Sequence, residues 1–278
     1  MSTVLDTTWP FMKMHGLGND FVVLDARARE FVMDAPLAQA LADRHRGVGF
    51  DQLAVIAPVD GLDAELIFYN ADGSLSAACG NATRCIARYL MDETGKTALR
   101  LKTGARVLEA RDAGQGLTSV NMGPPETRWD GVPLAQDVDT LHLPIEGDPV
   151  ATGMGNPHCT FFVEDAEAID LEARGPEIEH HPLFPERTNV QFASVISENT
   201  LRMRVWERGT GVTLASGSSS CATAVAAHRR GLTGSEVKIH LDGGVIHIRV
   251  AEDGVWMTGP TMHVFSGTLT APFLDSLR

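Results

Sequence analysis

Asn19 and Asn156, Gln52 and Asn189, Asn70 and Glu207, and Cys79 and Ser216 share one relation: each pair stands 137 positions apart. The pairs come from separate segments, and chance similarity of short motifs does not preserve one offset through all of them. The stretch "IFYNADGSLSAACGNATRCIARYL" from Ile67 reads against "MRVWERGTGVTLASGSSSCATAVA" from Met203, with Tyr69 matching Trp206 and Gly80 matching Gly217. Upstream, "GLGNDFVVLD" at Gly16 matches "GMGNPHCTFFVED" at Gly153. Such a chain is one unit made twice. The expectation is an N-terminal half over residues 1–122 and a C-terminal half over 123–265, parted near the proline-rich "MGPPETRWDG" at Met122, with 266–278 returning to the first half. Two similar domains facing each other would set corresponding loops on opposite sides of one cleft.

The local pattern gives each half the same parts. After Cys79, the apolar residues Ala82, Cys85, Ile86, Tyr89 and Leu90 follow the i, i+3, i+4, i+7, i+8 stripe of an amphipathic helix. Gly95 is placed to cap its end. After Ser216, "SCATAVAAHRR" reads as a second helix, closed by two arginines that suit the negative end of its dipole and by Gly231. "FVVLD", "ELIFYN", "CTFFVED", "LRMRVWE" and "VIHIRV" read as strands. Helices amid many antiparallel-looking strands predict an α+β fold, not a doubly wound parallel sheet.

A length of 278 residues accommodates two domains of ordinary size. With 44% apolar and 21% charged residues the composition is globular, and a net charge of −13 argues against nucleic acid or an anionic membrane as partner. The start "MSTVLDTTWPFMKMHG" lacks the basic and apolar regions of a signal peptide, and no apolar run approaches a membrane span. A soluble cytoplasmic protein is the expectation. The four cysteines form no C-x-x-C pair, which argues against a structural zinc site, and Cys85, Cys159 and Cys221 read as buried inert thiols. His180–His181 reads as a solvated loop, not a metal site.

Cys79 and Ser216 occupy the strand–turn–helix junctions of the two copies. At a helix N-terminus, free N–H groups and the positive dipole end stabilise an anion, which for a thiol raises the thiolate fraction. A substrate carboxylate could share those N–H groups. Two such turns facing each other would set a proton acceptor and a proton donor on opposite faces of one carbon, which is racemase or epimerase chemistry. Any single Asn beside Gly is accounted for by turn geometry. Asn19, Asn70, Asn156 and Asn189, related by the repeat and joined by Gln52 and Glu207–Arg208, read instead as a binding set for amino and carboxylate groups. His158 in "GNPHC" reads either as a residue that tunes a thiol or as a structural turn histidine.

Taken in order, "KMHGLGNDFVVLD", "GVGFDQL", "YNADGS", "CGNATRC", "GNPHC", "TNVQF", "RVWERGTG" and "TGP" resemble the diaminopimelate epimerase family across nearly the whole chain. Each piece alone is weak; the combination is specific. The resemblance implies two mirror-related halves, each a barrel of strands around a central helix. It also implies interconversion of LL- and meso-diaminopimelate for lysine and peptidoglycan precursor biosynthesis, without metal, pyridoxal phosphate or other cofactor. By position it makes Cys79 one catalytic thiol and assigns the N–H groups of Gly80, Asn81, Gly217 and Ser218 to the carboxylate at the reacting centre. Asn19, Gln52, Asn70, Asn156, Asn189, Glu207 and Arg208 would bind substrate, with His158 and Glu207 where the family has residues that adjust the thiols. A homodimer is implied too, Phe265 standing near the position of an interface aromatic.

The departure from the pattern is Ser216. The family has its second catalytic cysteine there, in an A-C-G context where this chain reads "ASG". A serine alkoxide is far more basic than a thiolate, so the hydroxyl stays protonated unless another group activates it. A Cys-to-Ser form of the enzyme is the first reading and a natural variant with altered chemistry the second. The adjacent "SSS" also differs, with little weight attached. Two rival functions stand beside the epimerase: a hydroxyproline dehydratase or racemase of the proline racemase superfamily, and a binding protein that has lost turnover.

Overall fold

The computed structural model describes residues 8–29, 31–76, 79–104 and 106–277. Residues 1–7 of the stretch read against a signal peptide, and the last residue of the returning segment, lie outside that set. The chain separates into two compact units, one running to Thr118 and resuming at Thr261, the other spanning Ser119–Pro260. These divisions fall a few residues before the sequence expectations of 122 and 265.

The first unit begins with β1 (Trp9–Gly16), β2 (Asn19–Asp25), α1 (Ala35–Ala42), β3 (Gln52–Ala57) and β4 (Ala64–Asn70). It continues through β5 (Leu75–Ser76), α2 (Gly80–Thr94), β6 (Ala98–Thr103) and β7 (Arg106–Gly114), and β8 (Leu117–Asn121) runs across the division. The second unit contains β9 (Val150–Gly153), β10 (Pro157–Phe162), α3 (Leu171–Glu179), β11 (Asn189–Ser197), β12 (Thr200–Glu207) and β13 (Gly211–Val212). There follow α4 (Gly217–Arg229), β14 (Glu236–Leu241), β15 (Gly244–Ala251) and β16 (Gly254–Pro260), and then β17 (Met262–Leu269) and α5 (Ala271–Asp275) in the first unit. β17 lies antiparallel to β1, which is how the C-terminal segment joins the first unit.

The repeat holds at the level of hydrogen-bond register. Phe21 stands opposite Gln52 across β2 and β3, and His158 stands opposite Asn189 across β10 and β11. Tyr69 faces Leu75 as Trp206 faces Val212. Beyond the helix the spacing widens by one: Ala64 pairs with Leu101, whereas Leu201 pairs with Ile239. The sheets are also less antiparallel than the sequence suggested. β2–β3, β4–β6, β10–β11 and β12–β14 are parallel. Parallel neighbours need a crossover connection, and α1, α2, α3 and α4 lie in those four connections.

Helix α2 packs on β1 and β2 at one end of its unit's strand order and on β6 and β7 at the other. α4 likewise touches β9, β10 and β11 at one end and β15 and β16 at the other. In each unit the sheet therefore curls around one helix. The predicted stripe of α2 is buried at Ala82, Cys85, Ile86 and Leu90, with Tyr89 half-buried, but Asn81, Thr83 and Arg84 are buried as well. Enclosure by strands on several sides, and not on one face alone, explains the extra burial. Full burial of Ile86 or Leu90 contributes about 1.5–3 kcal/mol each. Gly95 ends the helix at φ 71° with its N–H on the Met91 carbonyl, and Gly231, at φ 68°, follows α4. A separate core beneath each sheet fixes the other strands: Val22, Leu24, Leu53 and Val55 in the first unit, Phe161, Val190 and Phe192 in the second.

Candidate active site

Cys79 is the N-cap of α2, in extended backbone at φ −140°, ψ 103°. Its Sγ accepts the Ala82 N–H at 3.4 Å, and the residue is 9% exposed. The Thr83 hydroxyl donates to the Cys79 carbonyl at 2.8 Å and locks the turn. Gly80 and Asn81 begin the helix, so their N–H groups belong to the first turn, which has no intrahelical acceptors. The Asn81 amide donates to Asn19 Oδ1 at 3.2 Å, and Asn19 donates to Asp51 Oδ2 at 3.0 Å. Gln52 donates to Asn70 Oδ1 at 3.0 Å, and Asn70 donates to Ser74 at 3.0 Å. The first unit thus gathers Asn19 with Asn81, and Gln52 with Asn70, at the ends of β2, β3 and β4.

Ser216 is the N-cap of α4 with nearly the same backbone, φ −132°, ψ 120°. The Ser220 hydroxyl donates to its carbonyl at 2.7 Å, the counterpart of Thr83. The side chain behaves differently. Its hydroxyl makes no cap bond to the helix and donates instead to Glu207 Oε2 at 2.8 Å. Thr213 donates to the other oxygen, Glu207 Oε1, at 2.6 Å. A carboxylate therefore faces position 216 and accepts a hydrogen bond from the side chain there. Gly217 and Ser218 supply the first-turn N–H groups of α4.

Asn189 is buried; its amide donates to the Pro157 carbonyl and its Oδ1 accepts the Arg208 backbone N–H, both at 3.0 Å. The Arg208 guanidinium donates to the Glu186 carbonyl at 2.9 Å. Asn156 is half-buried and meets His158 Nε2 at 2.9 Å. His158 lies in β10, not in a turn, and is fully buried. Its Nδ1 lies 3.1 Å from the Gln191 amide nitrogen, so Nδ1 accepts and Nε2 carries the proton that goes to Asn156 Oδ1. Burial, reinforced by the Arg208 charge, pushes the His158 pKa down to about 3. The imidazole is neutral at physiological pH and acts as a fixed donor and acceptor, not as a charge beside a thiol.

Several partners escaped sequence reasoning. Gln191 donates to Ser219 at 3.1 Å and accepts from Thr160 at 3.0 Å, which completes the support of His158. Its position two residues after Asn189 on one strand, hence on the same face, was the available signal. In "SSS", given little weight, Ser219 and Ser220 are buried and bonded. Asp51, which orients Asn19, is itself held by Arg44 at 2.9 Å. The buried thiols of Cys85 and Cys159 have raised pKa values, Cys85 to about 11, because burial opposes the thiolate. Among the described residues no group of His, Cys, Asp and Glu could hold a metal.

Comparison with known proteins follows the same outline. The family model for diaminopimelate epimerase matches residues 11–128 and 150–264. The diaminopimelate epimerase of Acidiphilium cryptum is 49% identical over 271 residues, covering 95% of this chain and 98% of that protein. The diaminopimelate epimerase of Rhodospirillum centenum is also 49% identical over 271 residues, covering 95% and 93% respectively. Among solved structures, a phenazine biosynthesis protein of the PhzF family from Bacillus anthracis superposes with a TM-score of 0.68 at 13% identity, over 95% of this chain and 99% of that one. At that identity the likeness concerns the fold alone.

Proposed function

The chain belongs to the diaminopimelate epimerase family, and on that premise we propose that it binds 2,6-diaminopimelate and interconverts the LL and meso forms, slowly because of Ser216. The carrying observation is the matched pair of helix N-caps: Cys79 and Ser216 share one backbone conformation, each followed by a glycine, at equivalent places in the repeat. The reaction begins when the Cys79 thiolate takes the α-hydrogen as a proton. The electron pair left on carbon delocalises into the adjacent carboxylate, whose growing negative charge the first-turn N–H groups of Gly80, Asn81, Gly217 and Ser218 stabilise. Inversion then needs a proton delivered to the opposite face of that carbon. A thiol at 216, poised by Glu207, would deliver it; the serine hydroxyl is too weak an acid. The reaction as proposed calls on no metal or organic cofactor.

Asn19, Gln52, Asn70, Asn156, Asn189 and Arg208 bind the amino and carboxylate groups of the substrate, chiefly at its distal end, and His158 with Gln191 holds Asn156 in orientation. The protein works in the cytoplasm, in lysine and peptidoglycan precursor biosynthesis, as a homodimer with half-exposed Phe265 on β17 at the interface. Calorimetric titration tests the assignment. Diaminopimelate should bind much more tightly than lysine, which lacks the distal carboxylate. Arg208→Ala should cost about 2–5 kcal/mol, the penalty for truncating one partner of a buried charge pair. Equal affinity for the two ligands would overturn it.

A further inference from the structure

Glu179, the last residue of α3, is a charged side chain with only 3% exposure. Helix propensity does not account for it, since a carboxylate at a helix C-terminus meets the negative end of the dipole and burial adds a desolvation cost. Its contacts do. Oε2 accepts the indole N–H of Trp206 at 2.6 Å, and Oε1 accepts the backbone N–H of Gly209 at 2.9 Å. The Arg187 guanidinium lies 3.5 Å from Oε1. One carboxylate therefore grips the residue before and the residue after Glu207–Arg208. α3 comes close enough because Gly175 lies under Trp206: a Cβ there would be 2.4 Å from the indole Cγ. Asn189 Oδ1 completes the grip on the Arg208 N–H.

The first copy does this otherwise. The residue 137 positions before Glu179 is Ala42, the end of α1, and the corresponding turn is held by Gln39 donating to the Asp72 carbonyl at 2.6 Å. That turn carries neutral Asn70 where the second carries Glu207 and Arg208. Among the described residues, the buried carboxylate belongs to the copy whose turn carries Glu207 and Arg208.

We propose that Glu179 is a positioning residue, clasping the Trp206–Gly209 turn so that the Glu207 carboxylate meets residue 216 and Arg208 is presented to substrate. This rests on the reading of Glu207 and Arg208 as site residues. The test compares the native chain with Glu179→Gln, which turns one oxygen into an NH2 facing a donor, and with Trp206→Phe, which removes the indole N–H and leaves a smaller aromatic ring in its place. Calorimetry with diaminopimelate should show at least a tenfold weaker Kd for Glu179→Gln and a smaller loss for Trp206→Phe. In a Ser216→Cys background, KM should rise and kcat fall together, where a merely structural role would lower Tm and leave both unchanged. NMR reads the clasp without any ligand: the Gly209 amide and the Glu207 carboxyl carbon should shift in both variants. Native Kd, KM and kcat in a folded Glu179→Gln overturn the proposal, as do unmoved Gly209 and Glu207 signals. If Glu179→Gln does not fold, Trp206→Phe decides by the same readings. Failure of the native chain to bind diaminopimelate would instead count against the substrate assignment, and the NMR shifts would still judge the clasp.

Discussion

At the scale of single residues, the two N-caps separate a shared backbone from divergent side-chain chemistry. Cys79 turns its sulfur toward the N–H of Ala82, where the helix end favours the thiolate. Ser216 turns its hydroxyl away from the helix and donates a hydrogen bond to Glu207. His158 supplies a second residue-scale test. Its folded-state pKa of about 3 lies below the unfolded value of about 6.5. Between those two values the unfolded chain binds the extra proton, so stability falls as pH drops from about 6.5 toward 3. Urea unfolding at pH 7.5 and pH 5 should therefore show about 2 kcal/mol lost from this group. His158→Gln, with nothing to titrate there, should lose less by that amount. The same pH dependence in native and variant proteins would mean that the folded histidine does take up a proton.

At the scale of elements, the parts that sequence made legible were those with periodicity or a cap. The α2 stripe, the Gly95 and Gly231 terminations and the strand cores all follow from local pattern. The parallel pairings did not, because a strand's alternation says which face is buried and nothing about the direction of its neighbour. Most polar supports were equally hidden: Ser219, Asp51 and Glu179 act through partners distant in sequence with no local spacing to mark them, and Gln191 is marked only by its place two residues after Asn189. Gly175 is such a case, an ordinary helical glycine until Trp206 is laid against it. Gly175→Ala gains up to about 1 kcal/mol of helix propensity. Its Cβ would then stand 2.4 Å from the indole. Overpacking of that kind costs about 1–3 kcal/mol, so the net effect should be a lower denaturant midpoint with an unchanged slope. A stabilised Gly175→Ala would show that α3 does not sit this close to Trp206.

At the scale of the whole molecule, duplication explains why so much of the site could be read from one offset. Residues placed by the repeat, from Asn19 and Asn156 to Cys79 and Ser216, fall at equivalent strand ends and helix caps in the two units. What duplication conceals is where the copies have parted: Phe21 against His158, Ala42 against Glu179, Asn70 against Glu207. These differences make the second unit the one with buried polar support around its turn. In the proposed reaction both N-caps take part in proton transfer, with Cys79 competent and Ser216 not. It is tested most directly by epimerase turnover of this chain beside Ser216→Cys and Cys79→Ala, with α-hydrogen exchange followed in deuterated water. The chain itself should epimerise very slowly, with diaminopimelate still bound. Ser216→Cys should gain roughly 10²–10⁴-fold, the usual contribution of one general acid or base, and Cys79→Ala should neither epimerise nor exchange. Full activity with Ser216 in place, or no gain from Ser216→Cys in a folded protein, would contradict it.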